Sequence, residues 1–374
     1  MDDLPLPVDG PLPADGLFAE ARRQLTICNA CRYCEGYCAV FPALERRTVL
    51  EDPDITHLAN LCHDCRACFT ACMYAPPHEF AVNPPAVLSE VRRRTYDDYL
   101  PKLPRPPWTG LPWMRGRAGV AALAVVAAAG VAALALAVPG GGPAGSPYRV
   151  IAYPALLVLV ALPCAWGVAV LAMAAARYWR QTAGSFRGLL NGRAWLAATR
   201  HAATLRYLRG GGADCSYPTD VPSAARRRLH GCVAYGFLAC AGSTIAAAAE
   251  QDLAGVRPPY PVVSVPVLLG IAGGLGLMAG CAGLIWLRRR ADPASSDPGM
   301  TSRDYGLLIA LEILAVSGLL TLVLRQTPVY AGVLALHIAA VVTCFCMVPY
   351  TKFSHVVYRF LALVHDSAEA PGRQ

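Results

Sequence analysis

Cys28-Asn29-Ala30-Cys31-Arg32-Tyr33-Cys34-Glu35-Gly36-Tyr37-Cys38 and Cys62-His63-Asp64-Cys65-Arg66-Ala67-Cys68-Phe69-Thr70-Ala71-Cys72 spell one pattern twice, C-x2-C-x2-C-x3-C. Thiolates at this spacing are the run that ligates iron–sulfur clusters. Two-residue gaps let a short chain wrap three thiolates around one face of a cubane, and the fourth cysteine lies further off. In two-cluster ferredoxins that fourth cysteine serves the other cluster. The pattern therefore predicts one [4Fe–4S] cluster on Cys28, Cys31, Cys34 and Cys72 and another on Cys62, Cys65, Cys68 and Cys38. Structural zinc prefers separated C-x2-C pairs and disulfides need an oxidising compartment, so both fit the run less well. Ala39 and Met73 stand where the bacterial run has proline, a residue that shapes the loop and ligates nothing.

Outward from the runs the chain is helical in character. Leu17, Ala21 and Leu25 recur at helical spacing and predict a short helix over 17–27 leading into the first run. Between the runs there is room for one or two short helices, with Asp54 as the N-cap before Ile55. His57, His63 and His78 read as packing or surface residues more readily than as cluster neighbours. The prolines of Ala75-Pro76-Pro77-His78-Glu79-Phe80 and Asn83-Pro84-Pro85 predict irregular chain, expected to wrap the second cluster. Val87 to Tyr99 predicts a helix that turns Arg92, Arg93 and Arg94 to phospholipid, a partner or solvent. Residues 17–100 are thus expected to form a helical dicluster ferredoxin-like domain behind a flexible tail at 1–16.

A linker over 101–117 marks a change of composition. Of the 374 residues 55% are hydrophobic and 16% charged, more apolar than a soluble domain, and the apolar residues gather after residue 117. They form six segments, 118–138, 150–173, 229–249, 265–287, 305–324 and 329–348, each near the roughly 20 residues that cross a hydrocarbon core. The predicted fold class is all-α: the dicluster domain, then a six-helix transmembrane bundle over 118–365 and a tail at 366–374. Within it, 177–228 is too polar to cross, and Ala194 to Leu208, carrying Arg200, His201 and Arg206, predicts a helix lying on the inner surface. Gly210-Gly211-Gly212 has neither the preceding strand nor the GxGxxG of a phosphate loop, and Gly276 and Gly280 read as close helix packing. The formal charge of +8 invites a nucleic-acid reading, but the arginines bunch at the ends of apolar segments, which is a topology signal. With six crossings these groups share one side, which places both termini in the cytoplasm and the chain, multi-pass, in the bacterial inner membrane among its lipids. Met1 to Asp15 is acidic and proline-rich, unlike a signal peptide, and points the same way.

His230, at the start of the third segment, and His355, just past the end of the sixth, come out at one depth. That is the arrangement of a bis-histidine haem b, each neutral imidazole offering one nitrogen to iron. His337 precedes His355 by five turns, about 27 Å along a regular helix, so one helix is expected to serve an outer haem as well, with Pro349 as a kink. The third segment offers no outer histidine; Met278 is a weak substitute, and a hydrogen bond to a neighbouring helix is the plainer role for His337. His201 stands as a replacement for either inner ligand. Glu312, inside the fifth segment, reads as a proton-handling group beside a quinone or as a carboxyl bonded to serine or tyrosine. Cys164, Cys232, Cys240, Cys281, Cys344 and Cys346 read as small apolar fillers.

With these residues in view the chain resembles the TcuB/CitB family of tricarballylate-utilisation membrane proteins, whose membrane part is similar to the haem b subunits of nitrate and heterodisulfide reductases. The likeness runs from Cys28 to about Val364. It rests on the twin cysteine runs with Leu58-Ala59-Asn60-Leu61 before the second, on Ala75-Pro76-Pro77-His78-Glu79-Phe80, Arg200-His201-Ala202, Tyr235-Gly236-Phe237, and Pro349-Tyr350-Thr351-Lys352-Phe353-Ser354-His355. Gly231 departs from the histidine expected there. The resemblance implies an electron-transfer subunit that accepts electrons from a separate FAD-dependent dehydrogenase, TcuA, which oxidises tricarballylate to cis-aconitate, and passes them to the quinone pool. Substrate chemistry then belongs to the flavoprotein; this chain has no flavin motif. Two other classes stay open: a quinol-linked reductase of a soluble acceptor, which needs a substrate site, and a membrane redox sensor, which needs an output domain.

Overall fold

A computed structural model describes residues 14–101, 126–127, 129–131, 133–134, 138, 140–182 and 184–369. The predicted tail up to residue 13, most of the linker and most of the first apolar segment, 118–138, lie outside the described residues. The described chain is all-α apart from one two-residue hairpin.

In the head, α1 (Ala14–Cys31) buries Leu17, Ala21 and Leu25 along one stripe and runs further than the sequence predicts, so Cys28 and Cys31 ride on its last turn. Three short helices follow, α2 (Val40–Glu45), α3 (Asp52–Leu61) and α4 (Ala67–Thr70). The N-cap of α3 is Glu51 rather than Asp54. Asp54 sits at N3, where its carboxylate accepts from the Glu51 backbone N–H at 3.1 Å in a capping box. The irregular reading of Pro84 and Pro85 is also corrected, since both open α5 (Pro84–Tyr99), with the Asn83 side chain accepting from Ala86 N–H at 3.3 Å. In a first turn the missing proline donor is one the helix would leave unpaired anyway. Nor do the arginines of α5 face outward: Arg92 is 1% exposed, Arg93 pairs with Asp297 at 2.8 Å and Arg94 with Glu90 at 2.9 Å.

Beyond the linker come α6 (Tyr153–Gln181), α7 (Phe186–Leu189), α8 (Gly192–Ala203), the hairpin β1 (Cys215–Ser216) with β2 (Pro222–Ser223), α9 (Ala225–Asp252), α10 (Val265–Arg290), α11 (Pro298–Val323), α12 (Tyr330–Met347) and α13 (His355–Glu369). Five of these, α6, α9, α10, α11 and α12, are long and apolar enough to cross a membrane. In α9 only 6% of the apolar window is buried inside the protein, and Leu238 and Ile245 are 61% and 69% exposed. Apolar surface on this scale marks a membrane protein. Helices α9 and α10 pack backbone to backbone: a Cβ at Gly280 would lie 2.8 Å from the Leu229 carbonyl, and one at Gly236 2.8 Å from the Leu277 nitrogen.

The single helix expected to carry both His337 and His355 is not there. Helix α12 stops at Met347, two 3-10 turns, Val348–Tyr350 and Lys352–Ser354, intervene, and α13 starts at His355. Pro349 removes a donor, and Thr351, at φ −103° and ψ 174°, is fully extended, which redirects the chain. Helix α13 then packs into the head. Tyr358 lies 4.7 Å from Tyr96, 5.0 Å from Tyr99 and 5.5 Å from Tyr178, ring centre to ring centre. Head, α6 and α13 therefore share one buried core. Residues 366–369, read as tail, belong to α13, while 370–374 lie outside the described residues.

Candidate functional site

The fold sorts the eight cysteines across the two runs. One cavity is lined by Cys28, Cys31, Cys34 and Cys72, and also by Cys68, with Ile27, Phe41, Tyr74 and Val82 as apolar walls. Burial, then Cys72, Cys34 and Cys31, pushes the Cys28 thiol up to about 12; burial, then Cys72 and Cys31, pushes Cys34 up to about 12. The remaining thiols form a second set. Burial raises both Cys38 and Cys68; Cys65 and Cys62 then raise Cys38, and Cys65, Cys38 and Cys62 raise Cys68. Cys34 feels Cys65, and Cys68 feels Cys34, so the two quartets are neighbours. Thiols massed in this way become thiolates where a bound metal supplies the positive charge. No three His, Cys, Asp or Glu among the described residues converge on a single metal ion; a cubane takes one thiolate at each corner and asks for a wider set. The donor chemistry thus fits an iron–sulfur cluster in each quartet.

Left-handed backbone bends both runs round their quartets, at Arg32 (φ 56°), Asp64 (φ 53°) and Arg66 (φ 63°). Each such residue is strained by about 1–2 kcal/mol and is held by its surroundings. Arg66 is fixed by the membrane part, its guanidinium 4.6 Å above the Tyr217 ring and donating to Ser296 Oγ at 2.8 Å. The proline stretch lines the first quartet, through Val82 and Pro84, not the second as expected. Cys72 crosses to the first set and carries the following chain with it.

The second quartet faces the membrane helices. Arg92 donates to the Cys62 carbonyl at 3.2 Å, Arg359 to the same carbonyl at 2.6 Å, and Arg226 to the His63 carbonyl at 3.0 Å and to that of Asp64. Hairpin strand β1 brings Cys215, fully buried, into the same small core as Cys65, its thiol donating to the Leu208 carbonyl at 3.3 Å.

His230 and His355 come within electrostatic reach of each other, and His63 comes within reach of His230. His63 Nδ1 lies 2.8 Å from the Leu61 carbonyl, and His355 Nδ1 bonds the Lys352 carbonyl. Donation from Nδ1 leaves Nε2 as the free lone pair, the usual way a protein aims a ligating imidazole. Burial, then Arg359, holds both rings neutral, well below the usual histidine range, which is the ligating form. These features fit an iron-bound imidazole at His355, and the buried Nδ1 of His230 has no partner among the described residues. His201 stands one ring back: Tyr207 is 5.2 Å from it and 5.9 Å from His63. His337 is elsewhere, on α12, with Nδ1 3.0 Å from Ser317 Oγ of α11. Glu312 Oε2 is buried without a hydrogen-bond partner among the described residues, so at that oxygen none of their serines or tyrosines bonds it.

Sequence reasoning missed His63 as a neighbour of the paired histidines, and Cys215 altogether. It took Arg226 and Arg359 only as topology markers. The signal for His63 was its place between two cluster cysteines; the others carry none, because their partners lie far off in the chain.

Comparison with known proteins gives two family matches. A family model described as citrate utilization protein B matches residues 140–374, and one for the Fer4-like domain of citrate utilization protein B matches residues 21–98. The Escherichia coli protein "Citrate utilization protein B" is 36% identical over 358 residues, spanning 94% of this chain and 92% of that one. No solved structure matches.

Proposed function

Because the chain belongs to the citrate utilization protein B family, an assignment its ferredoxin-like head and apolar helices share, we propose that it is the membrane-bound electron-transfer subunit of a carboxylate-oxidising system. In this reading a separate FAD-dependent dehydrogenase of the TcuA type oxidises the citrate- or tricarballylate-like substrate, and this chain conducts the electrons to the quinone pool. Two [4Fe–4S] clusters, on Cys28, Cys31, Cys34 and Cys72 and on Cys38, Cys62, Cys65 and Cys68, and one haem b on His230 and His355 would supply the redox chemistry. Both termini face the cytoplasm of the bacterial inner membrane.

The observation that carries the proposal is the order of parts. Cys31 of the first quartet is exposed, as is Tyr33 beside it at 60%, which gives a soluble partner access. The second quartet lies deeper, against His63, which reaches His230, and His230 in turn reaches His355. Apolar walls at Ile27, Phe41 and Val82 cover the first quartet away from Cys31. His337 is assigned to the tie with Ser317 rather than to a second haem.

A reduced-minus-oxidised optical spectrum of the purified protein, with haem, iron and sulfide counted per chain, tests this. The expected result is two clusters and one b-type haem that added quinone reoxidises. Clusters without haem would overturn the role given to His230 and His355, and clusters that quinone leaves reduced would overturn the conduit.

A further inference from the structure

Three arginines from three separate helices converge on one tripeptide. Arg92 of α5, Arg226 in the first turn of α9 and Arg359 of α13 donate between them to the carbonyls of Cys62, His63 and Asp64, the loop that presents the second thiol quartet. Arg92 is buried, and the other two are half-buried. More positive charge stands behind them: Arg66 is 4% exposed, and Arg288 lies 3.7 Å from the Asp64 carboxylate and 2.9 Å from that of Asp304, which also holds Lys352. Arg66, Arg92, Arg226, Arg288, Arg359 and Lys352 thus outnumber Asp64 and Asp304.

The three converging guanidiniums meet carbonyls, not carboxylates, so their charge is not cancelled by the groups they bond. The Nε atoms of Arg92 and Arg359 are buried with no hydrogen-bond partner among the described residues. Desolvated cations left in this state are unfavourable unless an anionic group stands beside them. A cubane with four thiolates is such a group, net negative in both oxidation states. The first quartet has a different setting. Its cavity is lined by cysteine, aromatic and aliphatic side chains, and Arg32 donates to the Asn29 carbonyl, 3.0 Å away, on an exposed turn.

Reduction of a cubane adds one negative charge and moves no atom, so cations held close in a poorly screened site favour the reduced form. We propose that Arg92, Arg226 and Arg359 raise the reduction potential of the centre on Cys38, Cys62, Cys65 and Cys68 above that of the centre on Cys28, Cys31, Cys34 and Cys72. This rests on the two-cluster reading above. It makes the inner centre the electron sink and gives the head a direction, from its exposed face toward the membrane helices.

Redox titration of the intact protein followed by electron paramagnetic resonance tests the idea, with Cys31→Ser used to assign which signal belongs to the first quartet. The inner centre should reduce at the higher potential. Arg359→Gln and Arg226→Gln should each weaken its reduction equilibrium roughly tenfold, leave the first centre's midpoint unchanged, and keep iron and sulfide at the unaltered level; Arg359→Lys should restore most of the shift. A merely structural role would move iron content and both midpoints together. An inner centre at the lower potential in the unaltered protein overturns the proposal without any variant, as does an unmoved midpoint in both glutamine variants. If iron and sulfide show fewer than two clusters, it is the underlying electron-transfer reading that fails.

Discussion

The imidazole of His57 is 1% exposed, its ring centre 4.5 Å from that of His365, and neither of its nitrogens has a hydrogen-bond partner among the described residues. Burial, reinforced by His365 and Arg47 and opposed by Glu369, holds it neutral, well below the usual histidine range. An unfolded chain takes up a proton as the pH falls through about 6.5, whereas the folded chain does not. Stability present at neutral pH is therefore lost on acidification below that value. Denaturant titration in detergent should show the unaltered protein losing about 1–2 kcal/mol more than His57→Phe between about pH 7 and about pH 5; equal losses would remove His57 from the account. The cysteines give a second test at this scale. Cys31→Ser should lose about half of the iron, while Cys215→Ser should keep all of it, since Cys215 shares a small core with Cys65 but belongs to neither quartet. Iron loss in Cys215→Ser would make it a ligand.

Among the elements, α9 and α10 depend on glycine because their backbones touch. A side chain at Gly280 would meet the Leu229 carbonyl and the Val233 nitrogen at 2.8 Å, and backbone cannot step aside as a flexible side chain can. Gly280→Leu should therefore push α9 away, destabilise the protein by roughly 1–3 kcal/mol, and shift His230, the residue after Leu229. The measurement is haem absorbance beside iron content: haem falls and iron stays. Loss of both in proportion would mean general unfolding instead. The break between α12 and α13 belongs to this scale too. Pro349 warned of a kink, but a proline says only where a helix fails, not the direction in which the next one resumes. That direction is set by Tyr358, Leu361 and Val364 packing into the head.

At the scale of the whole molecule, head and membrane part are joined by Tyr96, Tyr99, Tyr178 and Tyr358. Tyr358→Ala should destabilise the junction by roughly 3–5 kcal/mol and expose the head to limited proteolysis. Tyr358→Phe should be close to neutral, because the Tyr358 hydroxyl is buried without a partner among the described residues. Equal protease resistance in the alanine variant would show that the junction lies elsewhere. What the sequence determined by itself is whatever depends on short spacing: the paired cysteine runs, the stripe of α1, the apolar length of five helices, and so an iron–sulfur head on an all-α membrane protein. The capping of α3 and the proline start of α5 were also local: the N-cap was placed three positions late, and the prolines were read as breaking the helix they open. Only the tertiary structure decided where the charges go. Arg92, Arg226 and Arg359 look in the sequence like ordinary basic ends, yet the carbonyls they meet lie 30 to 297 residues away. Desolvation and convergence are properties of the packed chain, and no window of sequence holds them.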